Sequence, residues 1–372
     1  MTTQGFSAHD GDNPRKNPGV AEESHAGTDE KILPQTQAQA GETQRLAADN
    51  PAHIAHAAEL LRAGKLVAIP TETVYGLAAN ALDPQAVASI FAAKGRPQDN
   101  PLIVHVSSVK NALPLVKECS ATAHLLARHF WPGPLTIILP KSNLVPSIVS
   151  AGLSTVALRV PAHPAALALL NACQLPLAAP SANTSGKPSP TLASHVLDDM
   201  DGKIAAVLDG GPCAVGVEST VLSLTSETPL LLRPGGIPLV KLQALLGKID
   251  VSPAVTQALQ PGETAHSPGM KYKHYAPQAA LTLVNGDLQS FLNYANTIKP
   301  DGLLCFDEDG VGLAYGAQND PAAQAAQLFA RLREIDERGW QTVLVRCPAP
   351  EGVGLAVYNR LLRAAAFREI TL

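Results

Sequence analysis

At 372 residues the chain is long enough for two domains, and a hydrophobic content of 46% is enough to build their cores. A net charge of −4 and a charged fraction of only 16% exclude a protein that coats nucleic acid by bulk charge, so any anion must meet a local basic pocket. Five widely spaced cysteines without a Cys-x-x-Cys exclude a disulfide framework and a zinc knuckle, and free thiols in a reducing cytoplasm are the expectation.

In chain order, residues 1–49 are polar and poor in large apolar side chains, which predicts a disordered arm. The arm lacks the apolar segment of a secretory signal, and acids such as Asp10, Asp12, Glu22 and Glu23 argue against a transit peptide. Asn50 before Pro51 starts a helix with Ile54, Ala57, Leu60 and Leu61 on one face. Strand-like runs follow at 66–70, 102–106, 135–139, 155–160, 175–179, 204–208, 219–224 and 229–233. Helical patterns fill 84–94, 120–130, 163–173 and 238–246. This order predicts an α/β domain over 50–247, an open twisted sheet with covered faces.

Residues 248–277 are rich in Pro, Gly, Gln and Thr and read as an interdomain linker. Over 278–372 a second alternation begins: strands at 280–285, 302–306 and 342–346, helices at 287–298, 320–337 and 354–368. It predicts a small Rossmann-like parallel α/β domain. No Gly-x-Gly-x-x-Gly follows its first strand, so this wiring does not by itself imply NAD. No apolar run in the chain reaches the length of a membrane span, and no membrane association is expected.

Polar clusters gather where the first domain's strands end. Thr71, Glu72, Thr73 and Tyr75 follow the apolar run 66–70, which is where open α/β sheets place ligands. Lys94 and Arg96 flank a helix stop at Gly95 and enter a Pro-bounded loop. Such a pair either complements the helix dipole and its carbonyls or grips a polyphosphate. His105 ends the run 102–106, and a strand-end histidine is more often structural than functional. The loop 179–191 offers hydroxyls, an amide and a lysine, and it has the look of either a phosphate- and ribose-binding loop or a plain linker. Gly216 to Val221 and Leu232 to Gly236 form two further groups.

The motifs PTETVYGL, KGRPQDNPL, FWPGPLT, ALRVP, PSANTSGKPSPT, VESTV and LRPG, in this order between about residues 50 and 247, resemble the YrdC-type threonylcarbamoyl-AMP synthases. The stretch SPGMKYKHYAP at 267–277 is similar to the linker of the family's long, two-domain form. The resemblance implies synthesis of L-threonylcarbamoyladenylate from L-threonine, bicarbonate and ATP with release of pyrophosphate. The product supplies N6-threonylcarbamoyladenosine at position 37 of tRNAs reading ANN codons. The implied partners are those substrates, downstream tRNA threonylcarbamoyl-transfer enzymes and a weak contact with tRNA, all in the cytoplasm. Carried over by motif position, Lys94, Arg96, Asn100, Thr155, Ser181, Asn183, Ser189, Arg233 and Tyr275 would serve ATP. Thr73, His105, Arg159 and Ser219 would hold threonine and bicarbonate, with His105, Lys94 and Arg96 as the catalytic set. Arg159 suits a carboxylate because its fork binds two oxygens, and His105 either accepts the amine proton or only orients substrate. Tyr272 and Tyr275 lie in a linker that would fold over the pocket. Mg2+ is expected with ATP, held by phosphate oxygens and water.

Other signals are weaker. Gly211 and Gly216 have Walker spacing, but Val217-Glu218 stand where Lys-Ser/Thr is required. Ser219 is not in a Gly-x-Ser-x-Gly elbow, and His53 and His56 lack a third metal ligand. Two other functions compete: an RNA-binding module without catalysis, and a carbamoyl-transfer module. Threonine-dependent consumption of ATP separates the first reading from both.

Overall fold

The structure, a computed structural model, describes residues 41–258 and 275–372. The expectations for residues 1–40 and for Lys271 to His274, Tyr272 included, lie outside the described residues. Residues 44–47, placed in the arm by composition, instead form the first strand, because Leu46 turns into the core while its neighbours face out.

The first domain has strands β1 Gln44–Ala47, β2 Val67–Ile69, β3 Gly76–Asn80, β4 Ile103–His105, β5 Leu135–Pro140, β6 Thr155–Arg159, β7 Leu177–Ala178, β8 Ala206–Asp209, β9 Thr220–Ser223, β10 Leu230–Arg233 and β11 Asp250–Val251. They form one mixed sheet in the order β1-β8-β2-β3-β7-β4-β6-β5-β9-β10-β11. The short, apolar strands are buried on both faces, as sheets covered by helices require. β3 was not expected. Polar neighbours around Gly76 read as a turn, but that turn reverses the chain so that β3 pairs antiparallel with β2. The region assigned to the linker also contributes to the sheet, since β11 pairs parallel with β10.

Helix ends follow local chemistry. Asn50 Oδ1 accepts from Ala52 N with Pro51 in the first turn, and Asp83 caps Pro84–Lys94 the same way. Gly95 closes that second helix at φ 61°, a left-handed position that costs glycine nothing. The stop sets Lys94 and Arg96 on either side of the helix end.

The second domain is an all-parallel sheet of β12 Ala280–Asn285, β13 Gly302–Cys305, β14 Leu313–Ala314, β15 Thr342–Arg346 and β16 Glu369–Thr371. Its order is β14-β13-β15-β12-β16, with helices Leu288–Ile298, Pro321–Glu337 and Gly354–Ala364 as crossovers. The two domains pack closely. Val74 and Val217 of the first domain belong to the second domain's apolar core, together with Tyr275, Leu328, Phe329 and Leu361. Gly216, at φ 77°, leaves no room for a side chain: a Cβ there would lie 2.3 Å from the carbonyl oxygen of Ala325.

Candidate active site

One cavity opens where β2, β4, β6, β9 and β10 meet the loops that follow or precede them. Its walls include Thr71, Thr73, Arg96, His105, Arg159, Ser181, Glu218, Ser219, Arg233 and Tyr275. The strand register explains part of this convergence. β4 and β6 run parallel with His105 opposite Arg159, so two residues far apart in sequence end on one rim. Its volume of about 60 Å³ is well short of the few hundred Å³ of a typical ligand site, so a nucleotide fits only when some of these walls move.

Arg159 organises one wall and is 3% exposed. Its Nη1 donates to Thr73 Oγ1 at 2.9 Å, its Nε donates to the Gly133 carbonyl at 3.2 Å, and its Nη2 lies 2.8 Å from Glu72 Oε1. Thr73 is held in turn by Thr71, whose Oγ1 lies 2.8 Å from its own and accepts the amides of Thr73 and Val74. The polar knot after β2 is therefore a rigid turn bearing a guanidinium.

His105 is 3% exposed, and its Nδ1 has no hydrogen-bond partner among the described residues. Burial, reinforced by the nearby Arg159 charge, lowers its pKa to about 3. The imidazole is neutral near pH 7 and carries an unsatisfied nitrogen, an arrangement that waits for a hydrogen-bonding ligand.

Across the cavity, Ser219 Oγ sits 2.7 Å from Thr136 Oγ1 and accepts from Arg233 Nη2 at 3.2 Å. Arg233 also donates Nε and Nη2 to the Ser219 carbonyl at 3.1 and 3.0 Å. Ser189 Oγ donates to Glu218 Oε1, and Glu218 Oε2 accepts from Arg360 Nε at 2.7 Å. Burial by itself would raise the Glu218 pKa, but Arg360 and Arg233 beside it hold the carboxyl below its usual value. Glu218 lines the cavity and Glu72 stands beside Arg159 behind it, each carboxylate next to a guanidinium, so neither adds an uncompensated charge.

Of the residues expected to serve ATP, Arg96, Ser181, Arg233 and Tyr275 line this cavity, and Lys94, Asn100, Thr155, Asn183 and Ser189 do not. Lys94 is turned to main chain: its ammonium donates to the carbonyls of Ser181 and Asn183. That is the helix-end reading of the Lys-x-Arg pair, applied to a neighbouring loop rather than to the lysine's own helix. Burial, with Arg96 nearby, holds the Lys94 pKa well below the ordinary lysine value. Asn100 is buried and its carbonyl accepts from Arg96 Nη2 at 3.1 Å. Asn183 Nδ2 donates to the carbonyls of Thr184 and Lys187, which shapes the loop. Thr155 starts β6, about 13 Å of strand from Arg159 at its other end. Ser189 stands behind Glu218 rather than on the surface.

Glu72 and Glu218 stand in the polar groups of the sequence without an assigned role, and Arg360 stands in none of them. Both acids stand in the motif segments, and an acid next to β-branched strand residues needs a cationic partner, a signal available in the sequence. Arg360 offered no such hint, because its partner lies 142 residues away.

The comparisons cover both domains. A family model described as "Telomere recombination" matches residues 59–235, and one described as "Threonylcarbamoyl-AMP synthase, C-terminal domain" matches residues 237–366. The chain is 48% identical over 325 residues to the threonylcarbamoyl-AMP synthase of Pyrococcus abyssi, covering 84% of this chain and 94% of that one. It is 45% identical over 339 residues to the threonylcarbamoyl-AMP synthase of Bacillus subtilis, covering 88% and 97%. The crystal structure of P. abyssi Sua5 complexed with L-threonine superposes with a TM-score of 0.82 at 43% identity, covering 89% of this chain and 99% of that one.

Proposed function

The chain belongs to the threonylcarbamoyl-AMP synthase family of nucleotidyltransferases, and from this premise we propose that its cavity joins L-threonine, bicarbonate and ATP into L-threonylcarbamoyladenylate, releasing pyrophosphate. The observation that carries the reading is the convergence of three guanidinium groups, a neutral imidazole and several hydroxyls on one cavity.

The threonine carboxylate meets Arg159, whose fork is already held in place by Thr73 and Gly133. The amine and bicarbonate lie toward His105 and Ser219. A base with a pKa near 3 is a poor proton acceptor at neutral pH, so His105 orients the nascent carbamate by hydrogen bonding rather than deprotonating the amine. The threonine amine, having lost its ammonium proton to solvent, attacks the bicarbonate carbon, whose carbon–oxygen bond breaks with loss of water. The carbamate oxygen then attacks the α-phosphate, and pyrophosphate leaves with the electron pair of the broken phosphorus–oxygen bond. Arg96 and Arg233 meet the phosphate charge, and Lys94 acts at one remove by fixing the loop that carries Ser181. Proximity and fixed charge suffice, without a covalent enzyme intermediate.

Mg2+ accompanies the nucleotide. Among the described residues no group of three or more His, Cys, Asp or Glu is placed to hold a metal, so its ligands would be phosphate oxygens and water. The product's destination, adenosine 37 of tRNAs reading ANN codons by way of a separate transfer enzyme, belongs to the same proposal. Among the described residues no helix is long and apolar enough to cross a membrane.

Incubation with L-threonine, bicarbonate and Mg-ATP, followed by mass spectrometry, should yield threonylcarbamoyladenylate and threonine-dependent pyrophosphate. ATP turnover that ignores threonine would sink the proposal.

A further inference from the structure

A side chain of the second domain stands directly behind the cavity wall. Arg360 lies on the helix Gly354–Ala364 and is fully buried. Its Nε donates to Glu218 Oε2 at 2.7 Å, and its Nη1 donates to the Pro234 carbonyl at 3.0 Å and to Asn359 Oδ1 at 2.7 Å. Its guanidinium lies 5.3 Å from the centre of the Tyr275 ring. Glu218 and Tyr275 both line the cavity, whereas Arg360 stands behind them.

This placement has an electrostatic consequence. Glu218 is 6% exposed and lines a site that takes anions under the proposed function, with its carboxylate oxygens on Ser189 and Arg360 in the wall behind it. In a poorly solvated wall an uncompensated carboxylate repels a nucleotide strongly. Arg233 is near and donates to Ser219, while Arg360 donates directly to that acid. We infer that Arg360 is a positioning residue of the nucleotide site: it cancels the Glu218 charge and seats Tyr275, so the second domain completes a pocket it does not line. The role rests on the proposed use of ATP.

Fold geometry supports a fixed rather than incidental contact. Asn359 Nδ2 donates to the Val255 carbonyl and Arg363 Nη2 to the Ala254 carbonyl, so the helix is pinned to the first domain on both sides of Arg360. Val217, next to Glu218, sits in the second domain's core. A shift of the helix therefore moves the acid's partner and the acid's backbone together.

The test is calorimetric titration of Mg-ATP and of L-threonine, separately, into the full chain and into Arg360→Gln, Arg360→Lys, Glu218→Gln and the double variant Arg360→Gln/Glu218→Gln, with melting curves for each. Arg360→Gln should weaken ATP by about tenfold or more, equivalent to ~1.4 kcal/mol, and threonine far less. The ATP loss should shrink as pH falls, because the unpaired Glu218 takes up a proton. Arg360→Lys keeps a charge and should retain most ATP affinity. The double variant should regain most of what the single one loses, an outcome that a purely structural arginine cannot give. Equal ATP affinity in folded Arg360→Gln, or a double variant no better than the single, overturns the inference. If Arg360→Gln does not fold, Arg360→Lys and the double variant decide: weak ATP binding in both overturns it. A parent chain that binds no Mg-ATP overturns the proposed function instead.

Discussion

The two sheets use buried charge in different ways. In the eleven-stranded sheet Arg159, His105 and Arg233 end on strands and turn toward a shared cavity. In the five-stranded sheet the strand-end cation Arg346 is sealed between Phe291 and Phe306, 3.5 Å from Asp309 Oδ2, while Arg333, Arg360 and Arg363 leave from helix faces to bond the first domain. A Rossmann-like sheet would ordinarily offer ligands its own strand ends. Here its polar chemistry is exported, and the second domain acts as a template behind another domain's site.

Five variants break or sharpen that contrast. Arg159→Ala should have the largest effect. It strands Glu72 in the wall and removes the fork from Thr73, so threonine-dependent pyrophosphate release should fall to background. Stability should drop by about 3–5 kcal/mol in urea titration, the cost of opening a buried pair. Arg159→Lys should weaken threonine much more than ATP in calorimetry, since a point charge cannot reproduce two parallel bonds.

Arg333→Gln probes the exported charge. Arg333 Nη2 lies 2.9 Å from Asp199 Oδ2 and donates to the Pro188 carbonyl at 2.7 Å, and Lys187 is the other cation on that acid. Urea titration should show a loss of about 3 kcal/mol, at the low end for a buried pair because Lys187 remains. The KM for threonine should hardly move. A variant with wild-type stability would show that the interdomain charges are decorative.

The acid sensitivity that comes from buried histidines should lie in the first domain. Burial lowers the His105 pKa to about 3 and the His195 pKa to about 4, with Arg159 and Arg333 respectively adding to the effect. Unfolded histidines take up protons below about pH 6.5 while these two do not, so their contribution is complete above that pH. It is lost as pH falls toward the folded values, by about 1.4 kcal/mol per pH unit per histidine. His195→Asn should flatten the stability curve between pH 6 and 4. An unchanged slope would mean that this histidine is charged in the folded chain.

The smallest effect on catalysis is expected from Arg346→Met. Its charge serves only the second domain's interior, so KM for ATP and threonine should match the parent even if the melting point falls. A selective loss of activity in folded protein would reveal a site at the second sheet's own strand ends and end the contrast.

Local patterns made much of this legible in the sequence. Pro and Gly punctuation, Asn50 and Asp83 caps and apolar periodicity lie within a few residues of what they control, so the helices Pro51–Arg62 and Pro84–Lys94 and most strands stand within a residue or two of expectation. The motifs named the segments that build the cavity for the same reason. Other features depend on partners far along the chain. β1 pairs with β8, 162 positions on, where Gln44 meets Ala206. Lys94 donates to the carbonyls of Ser181 and Asn183, Thr155 falls at the opposite end of β6 from Arg159, and Arg360 finds Glu218 across two domains. Residue type and spacing determine which groups are near a turn or a strand end. Which way a buried charge faces is decided by desolvation, because each must find a counter-charge or carbonyl wherever the packed fold supplies one.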